Sequence, residues 1–212
     1  MPALMGCQRW LFKCTITIKA MRNLFFLIYS TAFTLMIACN SETKDSKQLA
    51  DSINQTKDTA TTATEIITVR ENEAEFATNA ADASLAEIDL ANLAISKTSN
   101  EEIKAYANMM LKDHGAAHDE LIALAKSKNI TLPTKMSGEN ENKKKELVDK
   151  SGQDFDKKYA KLMEENHVKV LAFLEHQARK GTDPDLKNYA NNMVPKIKAH
   201  LNAIRKIKEG IK

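Results

Sequence analysis

The sequence predicts an all-α protein whose main domain is an up-down-up-down four-helix bundle with one long connection between its second and third helices. Three observations carry this. From about Glu65 to Lys212, Ala, Leu, Glu, Lys and Met dominate, glycines are few and prolines only three, which is helix composition at single-domain length. Four stretches repeat apolar residues at alternating spacings of three and four, as a helix buried on one face requires. Two of the three breaks between them are short, which makes neighbouring helices antiparallel.

Ahead of the domain lies a leader. Leu24 to Ala38 form an apolar run behind Arg22, too short for a membrane-spanning helix but the size of a secretory h-region. The run ends in Met36-Ile37-Ala38-Cys39, which resembles the lipobox of bacterial lipoproteins, although Met36 replaces the usual leucine. This implies cleavage before Cys39 and a lipid on that cysteine; an uncleaved signal anchor is the alternative. Met21 makes the more compact start, so residues 1–38 are excluded from fold reasoning. Without them, 27 of the 31 basic residues remain against 28 acids, and the net charge of +3 is a leader effect. A near-neutral exported chain argues against nucleic-acid binding, which needs basic side chains to neutralise phosphates. Cys7 and Cys14 leave with the leader and Cys39 is spent on lipid, so the mature chain has no disulfide. Residues 39–64 are polar with few large apolar side chains, and read as a flexible tether.

Each helix of the domain 65–212 has its own signals. The first runs from about Thr68 to Lys97. Ser99 and Glu102 fit a capping box that opens the second, which ends near Lys128 before Asn129. The polar connection that follows has room for a short helix at Lys143 to Lys150. The third helix starts near Asp154 and stops at Gly181, a C-cap signal. Asp183 as N-cap and Pro184 at the first helical position open the fourth, which Pro195 should kink. Gly115, costly inside the second helix, suggests a close helix approach there.

The inward stripe of each helix carries one titratable residue near its middle: Glu87, His114, His167 and His200. Counted from the turns at 1.5 Å per residue, the four fall in one layer of the bundle. A buried carboxylate and imidazoles are costly unless paired or bound to metal, so two readings stand. They are ligands of one iron, zinc or manganese ion, or a metal-free hydrogen-bonded layer that fixes helix register. Glu164, three residues before His167, and His118, four after His114, are further candidate ligands. Asp113 is a candidate acceptor orienting the His114 ring. The methionines Met109, Met110, Met163 and Met193 read as core filler.

The segments FATNAADASLAEIDLANLAISKTSNEEIKAYANMMLKDHGAAHDELIALAKSKNITLP, GQDFDKKYAKLMEENHVKVLAFLEHQA and DPDLKNYANNMVPKIKAHL resemble domain of unknown function 4142, a ferritin-like family of exported bacterial proteins. The resemblance covers about Phe76 to Leu201. It rests most on Ala86-Glu87, Asp113-His114, the run from Phe155 and Tyr159 to His167, and Pro195 with His200. It implies a four-helix bundle in the cell envelope and no settled activity. A di-iron oxidase is disfavoured, because such sites need two Glu-x-x-His pairs and only Glu164–His167 is present. The expectation is therefore a membrane-anchored lipoprotein for metal handling or stress protection, more a binder than an enzyme. A metal-free module meeting an unknown envelope protein partner is the alternative.

Overall fold

A computed structural model of the chain describes residues 45–59 and 71–211. The leader, Cys39 and the start of the tether lie outside the described residues. Within them the protein is all-helical, with six helices and no strand. They are α1 (Ser46–Thr59), α2 (Glu71–Lys97), α3 (Glu101–Ser127), α4 (Gly138–Val148), α5 (Gly152–Lys180) and α6 (Pro184–Gly210). The long helices α2, α3, α5 and α6 match the four expected from periodicity; α1 and α4 are packed onto them. No helix of the described residues is long and apolar enough to cross a membrane.

The helix boundaries follow from local chemistry. At the start of α3 the cap is Asn100, whose side chain accepts from the Glu102 and Ile103 amides, and not Ser99 as the capping-box spacing suggests. Thr98 explains the shift: its hydroxyl donates to the buried Asp156 carboxylate of α5 and accepts from the Asn100 amide, setting the turn one residue later. The end of α3 is a Schellman turn. Asn129 takes the left-handed conformation at φ 56°, its amide donates to Lys126, and the Ile130 amide donates to Ala125. Asp183 caps α6 as expected, accepting from the Asp185 and Leu186 amides. Its carboxylate also pairs with Lys128 at 2.6 Å, tying the start of α6 to the end of α3.

Several expectations are corrected. The stretch read as tether contains α1, and side chains hold it in place. Asn54 donates to the Thr131 carbonyl at 2.9 Å and accepts from the Thr131 amide at 2.8 Å. Lys57 reaches the Asn129 carbonyl. Composition missed this because the anchoring is polar. The short helix α4 begins at Gly138, earlier than expected, since the Ser137 cap and its neighbour Asn140 are both fastened to buried Asp82 of α2. Gly181 ends α5 without a left-handed turn; a Cβ there would collide with Gln177, so close approach, not φ, requires glycine. Gly115 is the reverse: a Cβ would meet nothing, so no close approach explains it. Helix α6 continues on both sides of Pro195.

Neighbouring long helices pack as α2 on α3, α3 on α6, α6 on α5 and α5 on α2, while α1 lies on α2 and α4 on α2 and α5. The apolar interior falls into two clusters. One holds Phe76, Leu121, Leu174, Leu186, Tyr189 and Ile197. The other holds Leu90, Ile103, Met110, Phe155, Tyr159, Met163 and Ile204. On every long helix the titratable residue of the stripe sits where one cluster gives way to the other: Glu87 before Leu90, His114 after Met110, His167 after Met163, and His200 after Ile197. A polar layer thus divides the core.

Candidate metal centre

The three imidazoles meet at mid-height. His114 on α3, His167 on α5 and His200 on α6 are 3 %, 1 % and 1 % exposed. Their ring centroids are 5.5 to 5.8 Å apart, and one nitrogen of each lies within 4.8 Å of the others. Among the described residues this is a group of three ligand-type side chains close enough together to be a candidate metal site.

Hydrogen bonds fix which nitrogen each ring presents. His167 Nδ1 sits 2.8 Å from the Met163 carbonyl of its own helix. A carbonyl only accepts, so Nδ1 carries the proton and the buried, unpartnered Nε2 carries a lone pair. His200 Nε2 lies 2.9 Å from an Asp113 carboxylate oxygen. The carboxylate accepts, leaving Nδ1 as the lone-pair atom, also buried and without a partner. His114 contributes a third unpartnered nitrogen, Nε2. Burial, together with the charge the neighbouring imidazoles would carry, depresses the pKa of His114 well below its usual value. Burial depresses that of His200 too, against the opposing pull of Asp113. Both favour the neutral ring, which is the form that binds a metal. The donor chemistry fits an ion: two imidazoles oriented by outer bonds, and a third with a buried Nε2 that lacks a partner.

Asp113 therefore serves a different ring from the one expected. Consecutive residues of a helix point about 100° apart, so Asp113 cannot reach round to His114 and instead crosses to His200 on α6. Glu164 is also corrected. Its carboxylate takes Arg205 Nε at 2.9 Å and Lys208 Nζ at 2.7 Å on the outside of α5 and α6, and both hold its pKa down. His118 is half-buried with Nδ1 unpartnered, outside the three-histidine group.

Glu87 lies in the layer but not in the trio. It is 2 % exposed, with one oxygen accepting from Asn166 Nδ2 at 3.3 Å and the other unpartnered. Burial raises its pKa, against the lowering effect of His167 and of the Asn166 bond. Around it are residues that stripe-tracing did not single out as polar. Tyr106 and Tyr159 have buried hydroxyls without partners, and their pKa values are raised by burial and by the charge on Glu87. The Tyr106 ring packs edge-on to His167 with centroids 6.2 Å apart. Periodicity reads tyrosine as core filler, so these hydroxyls were legible only as apolar positions. Met110, Met163 and Met193 are buried in the two apolar clusters, as expected of filler.

The fold is similar to that of CopM. In its Cu(II)-bound form CopM aligns with a TM-score of 0.57 at 15 % identity, covering 65 % of this chain and 95 % of that one. The Ag-bound form of CopM, obtained by co-crystallization, aligns with a TM-score of 0.54 at 15 % identity over 64 % of this chain and 94 % of that one. At that identity the likeness is one of fold. No curated protein sequence matches the chain. A family model described as Domain of unknown function (DUF4142) matches residues 42–207, and the chain belongs to that family.

Proposed function

We propose that the chain is an exported lipoprotein, anchored through Cys39, whose long helices form a ferritin-like up-down-up-down bundle holding one transition-metal ion. The observation that carries this reading is a trio of buried histidines whose donor atoms lie within 4.8 Å of one another, each with a buried ring nitrogen that lacks a partner. Leaving such atoms unpaired costs about 1–3 kcal/mol each, a cost that an ion bound between them would offset. The role is metal handling, not catalysis.

Ligand chemistry selects the ion. With Glu87 and Glu164 outside the trio, the donor set is nitrogen only, which disfavours manganese, a metal of oxygen ligands. Imidazole suits copper, zinc and iron, and copper stands highest in the affinity order for such sites. The Cu(II) and Ag carried by the CopM structures agree with that choice, though no ligand residue is transferred from them.

The test is metal content. Purified full-length protein exposed to copper, zinc and iron, then desalted, should retain about one equivalent of copper by elemental analysis. A His167→Ala, His200→Ala double variant that still folds should retain none. Wild-type protein that resists loading would leave the trio as a metal-free layer setting helix register. The anchor is tested separately: a Cys39→Ser variant should lose both fatty-acid labelling and membrane fractionation.

A further inference from the structure

A buried metal site needs a way in, and the three histidines are nearly sealed. On the α2–α5 side a surface pocket of about 190 Å³ opens beside α4. Asp82, Ala83, Asn140, Asn166 and Lys169 are among its walls, and Glu87 lies at its inner end. Glu87 is the residue common to the pocket and the polar layer. One of its oxygens is held by Asn166, another pocket residue; the second is buried without a partner. Asn166 precedes His167 on α5, and the Glu87 carboxylate is within electrostatic reach of the His167 ring. Tyr106 and Tyr159 add two buried, unpartnered hydroxyls that feel the charge of the same carboxylate.

A buried carboxyl with one oxygen tied and one idle, lining a surface pocket and close to His167, costs stability. We infer that Glu87 is a transit ligand: a metal cation enters by the α2–α5 pocket, is taken up by the free Glu87 oxygen, and passes to His167 and the trio. The pocket wall is suited to this. Its three carboxylates, Asp82, Glu87 and Glu139, outnumber its two lysines, Lys143 and Lys169, and Lys143 is already paired with Glu139 at 2.7 Å. Oxygen ligands hold a transition metal more loosely than three imidazoles, so the ion moves toward the nitrogen site. The alternative doorway is His118, on the α3 side, whose Nδ1 is buried without a partner.

This inference rests on the metal reading above, and kinetics separates the two. Copper uptake by the full chain is followed as loss of a coloured copper–chelator complex, and affinity by equilibrium competition with the same chelator. Two variants address the route: Glu87→Gln removes the carboxylate, and Ala83→Phe fills the half-exposed pocket wall. Both should slow uptake and release about tenfold, the lower end of what local steering groups supply, with the equilibrium constant within about threefold of wild type. His118→Ala should load at the wild-type rate. If Glu87→Gln fails to fold, Ala83→Phe carries the test alone. Wild-type rates in the folded route variants, slowing by His118→Ala instead, or a weakened equilibrium constant without slower uptake would overturn the inference. Absence of copper binding by wild type would overturn the metal reading itself.

Discussion

Asp113 shows how much a single side chain outside the trio decides. Its bond to His200 Nε2 leaves the buried Nδ1 as that ring's free donor atom. Asp113→Asn offers a weaker acceptor and a competing amide donor, so copper affinity should fall about 10- to 100-fold in chelator competition, with helix content unchanged. Proton linkage gives a second prediction. In the folded, metal-free protein His114 and His200 titrate below their usual value of 6.5, so between the folded and unfolded values the unfolded chain binds more protons. Their contribution to stability is present above that range and is lost as pH falls below about 6.5. Glu87 has the opposite sign: its raised pKa gives stability at low pH that is lost as pH rises through the folded value. Between pH 7.5 and pH 5.5 the histidines therefore lower the urea midpoint of metal-free protein while Glu87 raises it. A folded His114→Gln variant should lose less midpoint than wild type over that range, and equal changes would refute the assignment. At this scale the sequence was informative about position and silent about direction. Periodicity placed Glu87, His114, His167 and His200 in one layer because a buried stripe fixes depth. It could not say that Glu87 stands apart from the trio, that Asp113 crosses to α6, or that Glu164 turns outward to Arg205, since those depend on angles about the helix axes.

Caps and turns are where elements declare themselves, and they separate what was legible from what was not. Asp183-Pro184 was read correctly, because the capping bonds go to Asp185 and Leu186, the residues that directly follow. The start of α3 was misread by one residue because its cap is chosen from a distance, through Thr98 and buried Asp156. This makes a sharp contrast. Asn100→Ala should cost about 1 kcal/mol in urea unfolding, whereas Ser99→Ala, at an exposed position outside the cap, should stay within about 0.5 kcal/mol. Gly115 gives a prediction of opposite sign. A methyl group there meets nothing, so Gly115→Ala should stabilise α3 by about 0.5–1 kcal/mol, mainly by restricting the unfolded chain.

For the molecule as a whole, the helical class and the four long helices were evident from composition and period, while α1 was not. A helix held by Asn54, Lys57 and the Thr131 backbone leaves no hydrophobic trace in the sequence. Hydrogen exchange checks it: amides of residues 50–57 should be protected in wild type and exchange faster in Asn54→Ala, with α2 to α6 unaffected. The divided interior has a further consequence. A core interrupted by three imidazoles, a carboxyl and two tyrosine hydroxyls lacking partners is weaker than an all-apolar core of the same volume. Replacing His114, His167 and His200 together with methionine or leucine should therefore raise the melting temperature of the metal-free protein while abolishing any rise on adding copper. In the native chain, copper at a hundred times its dissociation constant should add about 2.7 kcal/mol. On the metal reading the weaker interior trades durability for occupancy, so that the lifetime of this protein follows the metal supply around it.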